Sequence, residues 1–428
     1  MNFGKPLCIA VYSATLLLIT SSASMQAQMK SAPANQAVAD LINLSTVGIA
    51  GNGGDDTNVL QQGINLSAAM GKPLEIPASP VPYQVGPLTF PSNTTVIFDP
   101  GVTVQARPGF GTNDKLLNLY GVSNVHIQGN NTVFLMRKPE YTSGESRHCL
   151  DIEGSSGVTV SGISCNGSGG DGLYIGAGPV GYSSNISVSD STFSDNRRQG
   201  MSIISAVNVT ISRCNFSGTQ GTAPSDGIDI EPNSPGDQLQ NILIEDSTTT
   251  GNAGNGIAID PRNLNASSAP VSIQILRNTS SRNVGSGYYV TNQNSGNNGG
   301  TGSITVLNSS SSFDGQYGAV ASYYNAAGPA VYFQNLNVAD PNQSKTTYDN
   351  SAISIKRGGG GEGLLGNVYF TNPSVTSTTG TVDHIFSFWD YSYIGFTRVQ
   401  VQNPITPPSA SYASGILQGE QLPTVSIQ

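Results

Sequence analysis

Charge is what this sequence has least of. Only 11% of its 428 residues are Asp, Glu, Lys or Arg, and it holds three histidines, four cysteines and one tryptophan. Its 18 basic side chains face 27 acidic ones, a net charge of −9. That balance argues against a nucleic-acid partner, whose binding is dominated by Lys and Arg neutralising phosphates. Long apolar runs are also missing. The one candidate, residues 7–20, falls short of the roughly 20 residues that a bilayer-spanning helix needs. With Lys5 ahead of it and Ser21, Ser22, Ala23 and Ala27 behind, it reads as a secretory signal over residues 1–28. A secreted protein without a membrane span is therefore expected. Cys8 leaves with the signal. Cys149, Cys165 and Cys214 remain, an odd number without metal-type spacing.

What the chain does have is turn chemistry. Its 51 glycines, with many Ser, Asn and Thr, recur every few positions between short apolar runs, the pattern of an all-β protein. Residues 141–232 contain four short runs with one grammar: "RHCLDI", "GDGLYI", "RQGMSI" and "SDGIDI". Stacked in register, the first column reads His148, Asp171, Gln199, Asp226, and the second Cys149, Gly172, Gly200, Gly227. The third reads Leu150, Leu173, Met201, Ile228, and the fifth Ile152, Ile175, Ile203, Ile230. Between them lies a fourth column of Asp151, Tyr174, Ser202 and Asp229. A period of two puts the third and fifth columns on one face of a strand and the fourth on the other. The grammar continues at Asn255, Ser286 and Tyr317, with repeats of 23, 28, 27, 29, 31 and 31 residues. Units of this length suit coils of three short strands, a right-handed parallel β-helix of roughly ten to twelve coils in which each coil touches only its neighbours.

A second run recurs in each coil, as "NISVSDSTFSDN" or "NVTISRCNFSGT". Asn124, Asn185, Asn208 and Asn241 precede it and are expected to stack as a ladder in a turn. Aligning these runs puts Cys165 in the column of Phe216 and Cys214 in that of Ile163. Both should face inward as small hydrophobes, the alternative being a disulfide between two of the three remaining cysteines. Asp55, Asp56 and Thr57 are helix-capping types ahead of a predicted helix over 57–70. The run from Gly51 to Ala78 resembles the N-terminal segment of pectate-lyase-like β-helix proteins, which implies a short helix covering the open end of the solenoid. The expected layout is a signal over 1–28, an N-terminal segment with a capping helix over 29–75, the solenoid over 76–403, and a C-terminal tail or cap over 404–428. Trp389, in the aromatic run "FSFWDYSYIGF", is read as packing, with a sugar platform as the alternative.

Charge concentrates on the four coils of the grammar. His148 and Asp171 can exchange protons, Tyr141 and Tyr174 supply phenols, and Arg197 and Arg198 supply guanidinium forks suited to a carboxylate. Neighbouring strands lie about 4.8 Å apart, so groups two coils apart leave room for a sugar. The expected catalytic set is His148, Asp171, Tyr174, Arg198 and Asp229. Tyr141, Arg147, Asp151, Arg197, Gln199, Asp226 and Glu231 are expected to bind substrate. Taken singly, Asp171 and Asp226 are ordinary Asp-Gly turn residues, and the arginines could pair with Asp195; the cluster makes the site. The order "SRHCLD", "GGDGLY", "NRRQGM" also resembles the alginate (mannuronan) C5-epimerases, whose runs read D-P-H, "LDGF" and "NDRHGF". The resemblance implies that His148 and Asp171 handle protons, with Tyr141 or Tyr174 as the phenol. It departs in lacking D-P-H and in carrying Gln199 where that family has His.

The expected function is that of a secreted monomer acting on an acidic polysaccharide, by β-elimination or C5 epimerisation of uronates. Two alternatives stand beside it. One is a glycoside hydrolase, for which Asp171 and Asp229, two coils apart, suit the separation of an inverting pair. The other is a non-catalytic glycan-binding solenoid. The polygalacturonase pattern of N-T-D, D-D, G-H-G and R-I-K is absent. Clustered carboxylates leave Ca²⁺ open, although no contiguous calcium loop is present.

Overall fold

The computed structural model describes residues 41–292, 298–347, 349–403, 417–418 and 425–427. The predicted signal and most of the predicted tail lie outside the described residues. From Leu41 the chain winds as a right-handed parallel β-solenoid of about eleven turns. One face is a 12-stranded sheet of short strands, running from Leu88–Thr89 to Leu417–Gln418. The remaining strands form a second network, in which longer strands such as Ser156–Asn166 pair with both segments of the next coil.

The register of the 12-stranded sheet follows the columns of the sequence. Leu173 pairs with Leu150 and Met201, Met201 with Ile228, and Ile228 with Ile257. These residues and their partners two positions on are buried at 0–1% exposure, which makes the interior a stack of aliphatic rows. Each such side chain contributes about 1.5–3 kcal/mol through burial. The second column is glycine because the coils approach there. A Cβ on Gly200 would lie 2.3 Å from the carbonyl oxygen of Gly227 and 3.0 Å from the Phe216 Cβ. Gly172 likewise faces Phe193, and Phe193 and Phe216 stack with ring centres 5.4 Å apart.

The coil of His148 departs from this scheme. Cys149 stands where later coils have Gly, and Cys165 where they have Phe193 and Phe216, and the two are joined in a disulfide. Cys165 faces inward as expected, but as half of a cross-link rather than a free thiol. Cys214 is buried and free.

The asparagine ladder is present. Asn124, Asn185, Asn208 and Asn241 all take left-handed φ values of 53–58°. Asn208 donates to Asn185 Oδ1 at 3.1 Å and accepts from Asn241 Nδ2 at 2.9 Å. The helix spans Thr57–Met70 and buries Leu60, Gly63, Ile64 and Ser67 against the strands Leu74–Ile76 and Thr94–Phe98. Its first turn is held by Asp55, whose Oδ1 accepts the Thr57 N–H at 3.0 Å. Asp56 accepts from the backbone N–H groups of Gly51 and Gln84 at 3.0 and 2.9 Å.

Candidate active site

A cavity of about 230 Å³ opens beside four successive strands of the 12-stranded sheet, Leu150–Glu153, Leu173–Gly176, Met201–Ile203 and Ile228–Ile230; Glu153 and Tyr174 reach it from the first two, and Ile204 and Glu231 from the residue just after each of the other two. His148, Tyr174, Arg198, Glu153 and Glu231 line it, together with Lys115, Glu145 and Asn233. The His148 ring stacks on the Tyr174 ring at 4.6 Å and 11°. Its Nδ1 accepts the backbone N–H of Asp171 at 3.0 Å, so the neutral ring carries its proton on Nε2. Burial, then Lys115 and Arg198, hold its pKa well below the usual value, so the ring is neutral at neutral pH.

Arg198 is the cation of the cluster. Its Nη1 reaches both oxygens of Asp171, at 3.2 and 3.4 Å, and its Nε lies 3.4 Å from Glu145 without hydrogen-bond geometry. Asp171 is fully buried and does not line the cavity; it orients Arg198 through its carboxylate and His148 through its N–H. Burial pushes its carboxyl up to about 6, against the pull of Arg198. Asp229 is also buried and accepts from Gln199 Nε2 at 2.9 Å, while Gln199 Oε1 accepts the Asp226 N–H at 2.6 Å. Gln199 is thus a strut between two acids. Burial raises Asp229 well above its ordinary value, and Asp226 to about 7. Asp151 is 1% exposed, with no hydrogen-bond partner for either oxygen. Burial, with Glu153 adding to it, pushes its carboxyl up to about 8. Burial also raises Tyr174 and Glu231. These shifts concentrate proton-holding groups around one hollow, the usual mark of a functional site.

Of the expected substrate-binding residues only Glu231 lines the cavity; Asp151, Gln199 and Asp226 are buried and do not line it, and Tyr141, Arg147 and Arg197 lie elsewhere. Tyr141 is buried, its ring close over Gly169 and its hydroxyl accepting the Arg137 N–H. The Arg147 guanidinium sits 5.0 Å over that ring and donates to the carbonyls of Phe110 and Ser143. Arg197 donates to the carbonyls of Thr142 and Gly144. The two arginines therefore clamp the loop that carries Glu145 and Ser146 to the cavity. Arg197 goes to these carbonyls and Arg198 to Asp171, so the two are not a pair. Asp195 pairs with Lys138 at 2.6 Å rather than with either arginine.

Lys115 and Glu145 are absent from the expected set. Lys115 had a signal: "KLLNL" carries the same grammar one coil earlier, with Leu117 paired to Leu150, which puts Lys115 in the column of His148. Glu145 sits on a loop and had none. Among the described residues, no three His, Cys, Asp or Glu side chains are grouped to share a metal ion.

A parallel β-solenoid with a polar, acid-rich cavity on one sheet defines the class. The chain belongs to the right-handed beta helix family, whose profile matches residues 112–335. No curated protein matches it. Among solved structures it is similar to the Agl-KA catalytic domain, at 16% identity over 92% of this chain and 69% of that one, TM-score 0.62. It is similar to the mannuronan C-5 epimerase AlgE4 A-module of Azotobacter vinelandii, at 14% identity over 91% and 100% of the two chains, TM-score 0.55. A third likeness is to the catalytic unit of the GH87 alpha-1,3-glucanase of Streptomyces thermodiastaticus, at 18% identity over 92% and 71%, TM-score 0.61. At these identities the likeness is one of fold.

Proposed function

We propose that this protein is a carbohydrate-active enzyme that acts on an acidic polysaccharide at C5 of a uronate unit, by β-elimination or epimerisation. One observation carries the reading: two cations, Lys115 and Arg198, share a cavity with the stacked His148–Tyr174 pair. Loss of the C5 proton needs the sugar carboxylate neutralised, so that the carbanion-like charge can spread onto it. Arg198, fixed by Asp171, and Lys115 do this. Glu231 or Glu153, on the cavity wall, takes the proton. In elimination the electron pair then forms the C4–C5 double bond, the C4–O bond breaks, and the Tyr174 hydroxyl or His148 Nε2–H protonates the leaving oxygen. In epimerisation the same donors return a proton to the opposite face of C5. Both groups suit a donor, since the phenol stays protonated and the imidazole carries its proton on Nε2. Solved neighbours described as an epimerase and a glucanase support a carbohydrate substrate.

A second reading, hydrolysis, would use Asp171, at about 6, and the raised Asp229, two strands apart, and requires both buried carboxyls to become accessible to the sugar. Export is part of the proposal. It rests on the apolar N-terminal run and is supported by the Cys149–Cys165 disulfide, since such bonds persist in oxidising compartments. The helix Thr57–Met70 covers the first coil in this reading, and the protein acts as a monomer. The test incubates the protein and its Arg198→Ala variant with acidic and neutral polysaccharides, following ultraviolet absorbance of unsaturated uronates, new reducing ends and C5 exchange in deuterated water. Absorbance with reducing ends means elimination, and exchange alone means epimerisation. Full activity of Arg198→Ala on an acidic glycan would overturn the reading, and reducing ends alone would transfer it to hydrolysis.

A further inference from the structure

A second cavity, of about 300 Å³, opens on the same sheet further along the solenoid. Tyr317, Tyr323, Lys356, Trp389 and Tyr391 line it. It lies on the same columns as the first. Tyr317 continues the column of His148 and Asp171, while Ser322, Lys356 and Trp389 pair in sequence along the column that includes Glu153 and Glu231. Five strand spacings separate the Leu173–Gly176 strand from the Ala319–Ser322 strand, roughly 24 Å at about 4.8 Å each. A linear polymer lying across the first cavity along the solenoid axis therefore reaches the second.

The chemistry of the second cavity differs from that of the first. The Trp389 and Tyr391 rings are parallel, 9° apart in plane, with centres 5.9 Å apart, and Tyr391 is 42% exposed. These stacked rings give the cavity aromatic surface of the kind on which the C–H face of a sugar ring rests. The Lys356 ammonium lies 4.4 Å from the centre of the Tyr317 ring and donates to the Tyr317 hydroxyl at 3.1 Å. The Tyr317 hydroxyl in turn donates to Asp349 at 2.9 Å, and Asp349 also accepts from Ser354 and Ser387. Asp349 is thus held by three hydroxyls, and no carboxylate makes an ion pair with Lys356 among the described residues. A ligand that brings an apolar ring face and a carboxylate matches this aromatic surface and this cation.

We infer that the Trp389–Lys356 cavity is a second glycan subsite, which holds a distal uronate unit of the same polysaccharide chain whose reacting unit lies at His148 and Arg198. The inference rests on the uronate reading of the first cavity, and its test is read without turnover so that the two fail separately. Trp389 is the single tryptophan of the chain, so intrinsic fluorescence reports this cavity directly. The full chain is titrated with hexamers of mannuronate, galacturonate and glucose. The expected result is a saturable change in emission with an acidic hexamer and none with the glucose hexamer. Binding should weaken by about tenfold or more in Lys356→Gln and in Tyr391→Ala, the scale for losing an anchoring contact. Tyr391 is exposed enough for its removal to leave the coil folded. An unchanged emission with every hexamer, an equal response to glucose, or a response that survives both substitutions would each overturn the subsite, whatever the activity at Arg198.

Discussion

At the scale of single residues, the site holds protons that water would strip away. Asp151, Asp226 and Asp171 carry folded pKa values of about 8, 7 and 6, against an ordinary 3.8. Between pH 4 and those values the folded protein binds more protons than the unfolded chain, so stability falls as pH rises. The slope is about 1.4 kcal/mol per pH unit for each proton so held. The melting temperature should therefore drop steadily from pH 5 to pH 8. Asp151→Asn, which keeps the shape and removes the titration, should flatten that drop, most visibly between pH 7 and 8, where Asp171 is already ionised and Asp226 is completing its own ionisation. Coincident melting curves for the two proteins over that interval would show that Asp151 is not a buried acid. Tyr174 offers a separate check on chemistry. Tyr174→Phe keeps the ring stacked on His148 and deletes the proton donor, so turnover should fall by about 10²–10⁴-fold with melting unchanged. Undiminished turnover would leave His148 as the donor.

At the scale of the strand and the turn, each coil repeats one solution, and the repeat can be tested at a single position. Asn208 has φ of 57° and bonds to the asparagines above and below it. Asn208→Gly keeps the backbone and loses the ladder, whereas Asn208→Ala loses the ladder and adds about 1–2 kcal/mol of left-handed strain. Denaturation midpoints should rank Asn, Gly, Ala, and an alanine variant as stable as glycine would mean that the turn tolerates another backbone. The same periodicity explains what the sequence made legible. Columns of Leu, Ile and Gly fixed the register from Leu150 to Ile230, because a one-residue slip would turn every apolar side chain outward. The cross-link was half visible: Cys149 sat in a glycine column and Cys165 in a phenylalanine column. A linear pattern does not encode that these two columns face each other inside the coil, where Gly200 lies against Phe216. Tyr141, Arg147 and Glu145 belong to a loop with no period, so nothing in their spacing said which way they point. Arg197 went to backbone carbonyls of that loop, and Arg147 to another of them and to the carbonyl of Phe110.

At the scale of the whole molecule, the net charge of −9 bears on which polymer the long face can accept. An acidic chain approaching an acidic protein is repelled at long range, although Lys115, Arg198 and Lys356 attract it on contact. Salt weakens the distant repulsion first, because separated exposed charges are screened beyond a Debye length of about 10 Å at 0.1 M while partly buried pairs are screened much less. For a uronate polymer, kcat/KM should therefore rise as ionic strength climbs from about 0.01 M to about 0.1 M, the reverse of the trend for oppositely charged partners. A neutral glucan has no such repulsion to lose, and its kcat/KM should stay flat over the same range. The two profiles separate the uronate reading from the neutral hydrolase whichever bond is cleaved. The comparison also bears on the second subsite. If the chain is anchored at both cavities, the rise should be steeper for a long polymer than for a trimer too short to span roughly 24 Å, because each added uronate brings another repelled charge to the surface. Equal salt profiles for trimer and polymer would confine binding to the cavity of His148 and Arg198.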